Sequence, residues 1–375
     1  MHFVDATMFY AAEGGGVSTY INAKSRWLVQ RSRVRHTIAS PSVHPGPGAI
    51  RLPSVPVPGL HGYRWPFPLV RTSRLLQQAG PDLIEAGDAG PCAWAALRVR
   101  RQLDIPAVAF YHSDLPHLIR HRVGDAAMHA VRRYVAQLYR QFDMVLAPSR
   151  VMVQQLAGMG IRGAVHQPLG IDSTVFNPGR RIGTLRRHLR LPEDARLLVY
   201  AGRFTAEKKL THLIEAVRKL GRPYHLLLIG GGGRLPYYPQ ISYLPFKRDQ
   251  RALARLLASC DVLVHPGDCE TFGLIVLEAM ACGLPVVGAR GGGVAELVDA
   301  HCGILAEPNS VDSLCAGIEG IYLEGREQRA QAALRKAREH YDWNHIMPQL
   351  MQRYASLLAA RERADLGTEL IYVPE

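Results

Sequence analysis

Two doubly wound α/β domains facing a central cleft are the fold this sequence predicts, and three observations predict it. At 375 residues the chain exceeds one ordinary hydrophobic core and fits two domains of common size. Apolar runs of strand length alternate with longer amphipathic stretches, the mark of βαβ units and parallel sheets. The alternation also restarts at 197–202, after a basic linker at 179–195, so the second half repeats the plan of the first.

In the first half, strands are expected at 2–6, 34–39, 83–85, 107–111 and 144–147, with helices at 17–30, 93–103 and 126–139 between them. A Pro/Gly-rich stretch at 41–68 reads as too irregular for the core. In the second half, strands are expected at 197–202, 225–230, 241–244, 262–265, 285–288 and 303–305, with helices at 210–220, 250–259 and 311–323. Helices at 327–340 and 343–361 and a polar tail close the chain. The expected domains are 1–175, 176–345, and a last segment, 346–375, whose helix crosses back to the first domain. Ligands of open α/β sheets bind at the carboxyl ends of the strands, so a cleft between the two sheets is the expected site.

Composition narrows the function classes. Hydrophobic content of 47% and charged content of 21% describe a globular protein. No segment reaches the ~18 consecutive apolar residues that span a bilayer, and the N-terminus lacks the basic and apolar regions of an export signal. Six cysteines without C-x-x-C spacing read as thiols of a reducing cytoplasm. The net charge of +13 is concentrated in residues 1–175, which hold 19 Lys+Arg against 10 Asp+Glu. Such a surface attracts nucleic acid, an anionic membrane or an anionic substrate. No nucleic-acid module is present, which leaves the last two.

The most informative stretch is 265–290, HPGDCETFGLIVLEAMACGLPVVGAR. Glu270 stands just before a helix, and Glu278 stands inside it, about two turns along. Between them, the backbone of Thr271, Phe272, Gly273 and Leu274 offers amides at a helix N-terminus, which favours bound anions. Carboxylates beside free amides suit a ligand carrying both hydroxyls and phosphate. Gly202-Arg203-Phe204-Thr205-Ala206-Glu207-Lys208-Lys209 follows the first strand of the second half. Arg203 brings a planar fork suited to a diphosphate, and Lys208 a compact ammonium. Glu13-Gly14-Gly15-Gly16 follows the first strand and opens a helix, where backbone can approach a phosphate or hydroxyl closely. His112 ends a buried strand. The plain alternatives are a tight strand–helix turn at Gly15 and Gly16, a satisfied core histidine, and a solvated cation at Lys209. Gly230–Gly233 is followed by Arg234-Leu235-Pro236, which starts no helix, so it is not read as a nucleotide loop. His117, Arg120, His121 and Arg122 lack metal-ligand spacing and read as a basic face.

Together these motifs resemble the retaining nucleotide-sugar glycosyltransferases of family 4 (group 1), which have the GT-B fold of two Rossmann-like domains and an E-x7-E signature at the place of Glu270 and Glu278. Gly202–Lys209 resembles the family's Gly-Arg-x4-Lys-Gly, except that Lys209 stands where Gly is usual. The likeness extends through Ala147-Pro148-Ser149, Leu169-Gly170-Ile171-Asp172, Gly291-Gly292-Gly293 and Tyr341-Asp342-Trp343. The segment 110–116 is similar to transferases of diacylglycerol-type lipids.

The resemblance implies transfer of a hexosyl group from a UDP- or GDP-linked sugar to an acceptor hydroxyl, on a membrane lipid or lipid-linked glycan. Glu278 would hold the ribose, Glu270 and the 271–274 amides the sugar, and His112 would face that sugar. Arg203, Lys208 and the Gly15 and Gly16 amides would stabilise the departing diphosphate. It implies neither cofactor nor metal, since no D-x-D motif is present and fixed cations take that role. The expected location is the cytoplasm, peripherally on the cytoplasmic face of an anionic membrane. A soluble sugar acceptor and a non-catalytic nucleotide-sugar binding module stand as alternatives.

Overall fold

The computed structural model describes residues 1–10, 15–56, 63–233 and 235–369. The chain divides into two compact units, Met1–Pro168 with Ile346–Glu375, and Leu169–His345. The division falls before 175 because the turn at 169–176 is bound to the second unit. There the Ile171 amide donates to Tyr341 O at 2.8 Å, and a Cβ on Gly170 would meet the Trp343 ring at 2.7 Å.

The first unit holds β1 (His2–Ala6), β2 (Arg35–Ser40), β3 (Ala49–Arg51), β4 (Ser54–Pro56), β5 (Arg64–Pro66), β6 (Leu83–Ala86), β7 (Ala107–Phe110), β8 (Met144–Ala147) and β9 (Val165–His166). Seven of these form a parallel sheet in the order β3-β2-β1-β6-β7-β8-β9, while β4 and β5 make a separate antiparallel hairpin. The order runs outward from β1 in one direction and then resumes at β6 on its other side. That reversal opens a crevice at the carboxyl ends of β1 and β6, the place where such sheets bind ligands.

Helices cover the sheet and bury its apolar strands, with Val4, Ile84, Ala107 and Ala109 fully enclosed. The stretch at 41–68 is more ordered than its prolines suggest. Within it β3 extends the sheet, and Leu52, 2% exposed, joins the core. Three helices, Leu69–Gln78, Leu115–Val123 and Arg150–Gly158, stand where the sequence reading set none.

The second unit holds β10 (Arg196–Arg203), β11 (Tyr224–Gly231), β12 (Ile241–Pro245), β13 (Val262–His265), β14 (Val286–Ala289) and β15 (Gly303–Ala306), all parallel, in the order β12-β11-β10-β13-β14-β15. Here the reversal lies between β10 and β13. The loops that follow these two strands therefore meet at one crevice.

The helix Trp343–Glu369 carries the chain into the first unit. Lys24 lies fully buried there, 2.7 Å from Asp5 and 3.3 Å from Glu85, and donates to the Tyr354 hydroxyl at 2.9 Å. Tyr354 in turn donates to Glu85. This internal ion network fastens the last helix to the sheet.

Candidate functional site

β10 and β13 deliver the charged residues of the second unit. Arg203 is the last residue of β10, exposed, and Lys208 closes the short 3-10 turn Ala206–Lys208 that follows. Placing Arg203 on the strand corrects the expectation of a loop position: its backbone is held by pairing with Gly231 of β11. From the other side come His265, ending β13, and the loop that carries Asp268 and Glu270.

These loops are joined by charge. The Lys208 ammonium donates to Glu270 Oε1, and His265 Nε2 lies 3.0 Å from the same oxygen. Burial alone would raise the Glu270 pKa. The Lys208 charge and the His265 ring outweigh it and hold the carboxyl well below the ordinary range, so it is ionised. Next to this pair, Lys209 Nζ lies 2.6 Å from Asp268 Oδ2.

Glu278 has a different environment. It lies within Leu274–Ala281, LIVLEAMA, where every other residue is apolar, and it is 8% exposed. Burial pushes its carboxyl up to about 8, with no cation opposing the shift. The same helix begins just after Gly273, and the first-turn amides of a helix have no acceptor within it. Thr271–Leu274 thus stands at an amide-rich end. The Phe272 ring faces inward, 4% exposed and 6.2 Å from the Tyr341 ring, so only its backbone is available to a ligand.

A third loop fixes Glu270 from outside. The Gly293 amide donates to Glu270 O at 2.7 Å. A Cβ on Gly293 would come 2.5 Å from Phe272 Cα, and one on Gly292 would come 2.4 Å from Glu270 O. Only residues without side chains permit this approach.

In the first unit, Gly15 caps the helix Gly16–Arg31 with φ 136°, and Glu13 and Gly14 lie outside the described residues. That helix carries Tyr20, whose ring is 5.1 Å from His112, while His112 stacks on Phe110 at 4.1 Å. Burial pushes the His112 pKa down to about 3, against the opposing charge of Asp5 and with a smaller lowering from Lys24. The imidazole is therefore neutral near pH 7 and can hydrogen-bond without carrying charge. Among the described residues no three His, Cys, Asp or Glu side chains come together as a metal site.

Comparison with known proteins fits this geometry. Residues 14–175 match the model of Glycosyltransferase Family 4, and residues 182–339 match that of Glycosyl transferases group 1. The chain belongs to the family 4, group 1 glycosyltransferases.

Among the relatives of this transferase is the GDP-mannose-dependent alpha-mannosyltransferase of Corynebacterium glutamicum, 29% identical, covering 84% of this chain and 78% of the relative. A second is the GDP-mannose-dependent alpha-(1-6)-phosphatidylinositol dimannoside mannosyltransferase of Mycobacterium tuberculosis, 27% identical over 97% of this chain and 99% of that one. In fold, the transferase is similar to the sucrose-phosphate synthase of Thermosynechococcus elongatus, with a TM-score of 0.79 at 21% identity, over 96% of this chain and 100% of the other. The architecture is the GT-B type, and the activity is glycosyl transfer from a nucleotide sugar.

The residues singled out in the sequence thus fall in two groups. Arg203, Lys208, Glu270, Thr271–Leu274 and Glu278 belong to the second unit, and Gly15, Gly16 and His112 to the first. Sequence reasoning missed His265, although its position at the end of a buried strand was a usable signal. It also missed the Lys209–Asp268 pair, which no periodicity announces.

Proposed function

We propose that this transferase moves a hexosyl group with retention of configuration and without a metal, and that its acceptor is a hydroxyl of a membrane lipid or lipid-linked glycan. The observation that carries the chemistry is the Lys208–Glu270 pair, which joins the turn after β10 to the loop after β13, with Arg203 ending β10 and Glu278 in the helix that follows that loop. In this reading, Glu278 accepts from the ribose hydroxyls and Glu270 positions the sugar. Arg203 and Lys208 stabilise charge on the departing diphosphate, a contribution that commonly dominates such catalysis. The bond from the anomeric carbon to the diphosphate oxygen breaks as the acceptor oxygen bonds to the same face. The acceptor proton leaves to the departing diphosphate oxygen. The names of the relatives make GDP-mannose the first donor to test.

A lipid acceptor is favoured by the surface of the first unit. Between Glu13 and Asp82 the chain has no carboxylate side chain but nine lysines and arginines. That stretch exposes Val55, Trp65, Phe67, Leu69 and Val70, of which Trp65 is 43% and Phe67 59% accessible. Arginines near an anionic leaflet contribute about 1 kcal/mol each, and Trp and Phe settle at headgroup level. No helix among the described residues is long and apolar enough to cross a membrane, so the contact proposed is peripheral.

The test has four stages. Thermal shift with GDP-mannose and UDP-glucose identifies the donor, nucleoside diphosphate release in the presence of chelator tests metal independence, and NMR of the product reads the anomer. Flotation with anionic vesicles at low salt should carry the protein upward. Phe67→Ser with Arg71→Ser should abolish that; Arg64 is left in place because its guanidinium braces the hairpin through Ser54 at 2.9 and 3.0 Å. Protein that stays wholly in the soluble fraction would favour a soluble acceptor.

A further inference from the structure

Lys208 and Lys209 are consecutive, yet they engage two different carboxylates of one opposing loop. Lys208 reaches Glu270, and Lys209 reaches Asp268 at 2.6 Å. The two rungs run in opposite sense along the two loops, so they fix register as well as distance. Their backbones also touch: a Cβ on Gly267 would lie 3.2 Å from Glu207 O and 3.4 Å from Lys208 Cα. Asp268 receives the Cys269 thiol at 3.0 Å on its other oxygen. Burial would raise the Asp268 pKa, but these two donors hold it low.

Lys209 occupies this place against its backbone preference. It sits at φ 51°, ψ 37°, the left-handed region, as the residue before the helix Leu210–Leu220. A glycine adopts that conformation without the clash that a lysine carries. The lysine is therefore compensated by something a glycine lacks, and its only ion-pair partner among the described residues is Asp268.

We propose that Lys209 and Asp268 are a positioning pair that keeps the loop after β10 locked to the loop after β13 while Lys208 exchanges Glu270 for the donor's diphosphate. The proposal rests on the nucleotide-sugar reading of Lys208 and Glu270 and adds what that reading lacks. When Lys208 turns to the diphosphate, its tie to Glu270 is released at the moment when Glu270 must stay aligned with the sugar. The second rung touches neither group and survives the exchange. A misplacement of about 1 Å at such a centre lowers turnover steeply.

Turnover of GDP-mannose and UDP-glucose, read by nucleoside diphosphate release, tests this. Lys209→Met, Asp268→Asn and Lys209→Gly should each lower kcat about tenfold or more, with donor KM within about twofold. The double variant Lys209→Met/Asp268→Asn should be no slower than either single, and Lys209→Arg should retain most of the activity. Lys209→Gly also removes the left-handed clash, so its melting temperature should not fall with kcat. A merely structural lysine would lose both together. Wild-type kcat in Lys209→Gly overturns the proposal, as do additive losses. A rise in donor KM confined to the Lys209 variants would mean that Lys209 grips the donor itself, which also overturns it. A wild-type protein that turns over neither sugar counts against the nucleotide-sugar reading alone. The pair is then tested by carboxyl NMR: Lys209→Met should move the Glu270 titration upward as Lys208 loses its seat, and an unmoved Glu270 refutes the pair.

Discussion

Glu278→Gln isolates a buried ionisable group whose effect can be worked out from its surroundings. The carboxyl moves from an ordinary 4.5 to about 8 because burial disfavours its charged form. Below pH 4.5 the group is protonated in both the folded and the unfolded chain. Between 4.5 and about 8, the unfolded chain has released a proton that the folded chain still holds, so stability falls as pH rises through this window. At about 1.4 kcal/mol per pH unit, the loss reaches on the order of 4–5 kcal/mol by pH 8 and above.

A glutamine mimics the protonated acid and does not titrate. The variant should therefore match the parent near pH 5 and exceed it near pH 8.5, with a melting difference on the order of 10 °C for a unit of this size. Melting curves of both proteins between pH 5 and 8.5, followed by fluorimetry, provide the assay. Parallel profiles would show that Glu278 does not titrate as its burial requires.

The same group links pH to donor binding. If the ribose hydroxyls donate to the ionised form, binding must expel the proton. Calorimetry with GDP near pH 7, in buffers of different ionisation enthalpy, should then register release of close to one proton, and none in Glu278→Gln.

Other substitutions separate the remaining roles. Arg203→Ala and Lys208→Ala should each lower turnover by about 100-fold or more, the effect of removing one group that stabilises developing charge, and chelator should change neither result; strict dependence on added Mg²⁺ would contradict the assignment. Glu270→Gln should lower kcat more than it weakens GDP binding by calorimetry, because under the proposed role the sugar beside Glu270 changes charge during transfer. Lys24→Met should destabilise the first unit by about 3–5 kcal/mol in denaturant melts, since it leaves Asp5 and Glu85 buried without their cation; a loss below 1 kcal/mol would show that the network is looser than its distances.

Much of the fold was legible because parallel strands, covered on both faces, appear as short apolar runs. The runs at 2–6, 144–147 and 262–265 coincide with β1, β8 and β13. The strand β3 was not legible: a three-residue edge strand among prolines and glycines has no periodicity to detect, and only its pairing with β2 defines it. The helix Leu115–Val123 was hidden because its histidines and arginines read as a basic patch. In the site, Glu270, Glu278, Arg203 and Lys208 could be named from local motifs. The partners that set their chemistry could not. His265 is five residues from Glu270 in sequence, but its role depends on where β13 ends, and Lys209 finds Asp268 across 59 positions.

Buried ionisable groups serve two purposes in this molecule, and the presence of a cation partner tells them apart. In the first unit, Lys24 is fully enclosed, but two carboxylates and a tyrosine hydroxyl surround it. Asp5 stays ionised at about 2 because Lys24 and His36 outweigh its burial. A network paired in this way has its own cation, and its position against Tyr354 explains what it does: it fixes the last helix, even though burial still raises the Glu85 pKa. Glu278 is buried to a similar degree in the second unit, yet no cation is its partner among the described residues, and its pKa rises accordingly. An apolar residue continuing LIVL and AMA would avoid the cost of burying such a carboxyl. The carboxyl instead places in an apolar wall a group that becomes a strong acceptor once it ionises, beside a helix start rich in amides. That arrangement favours a ligand that supplies hydroxyl donors to the carboxylate and phosphate oxygens to the amides at the same time, which a nucleoside diphosphate does.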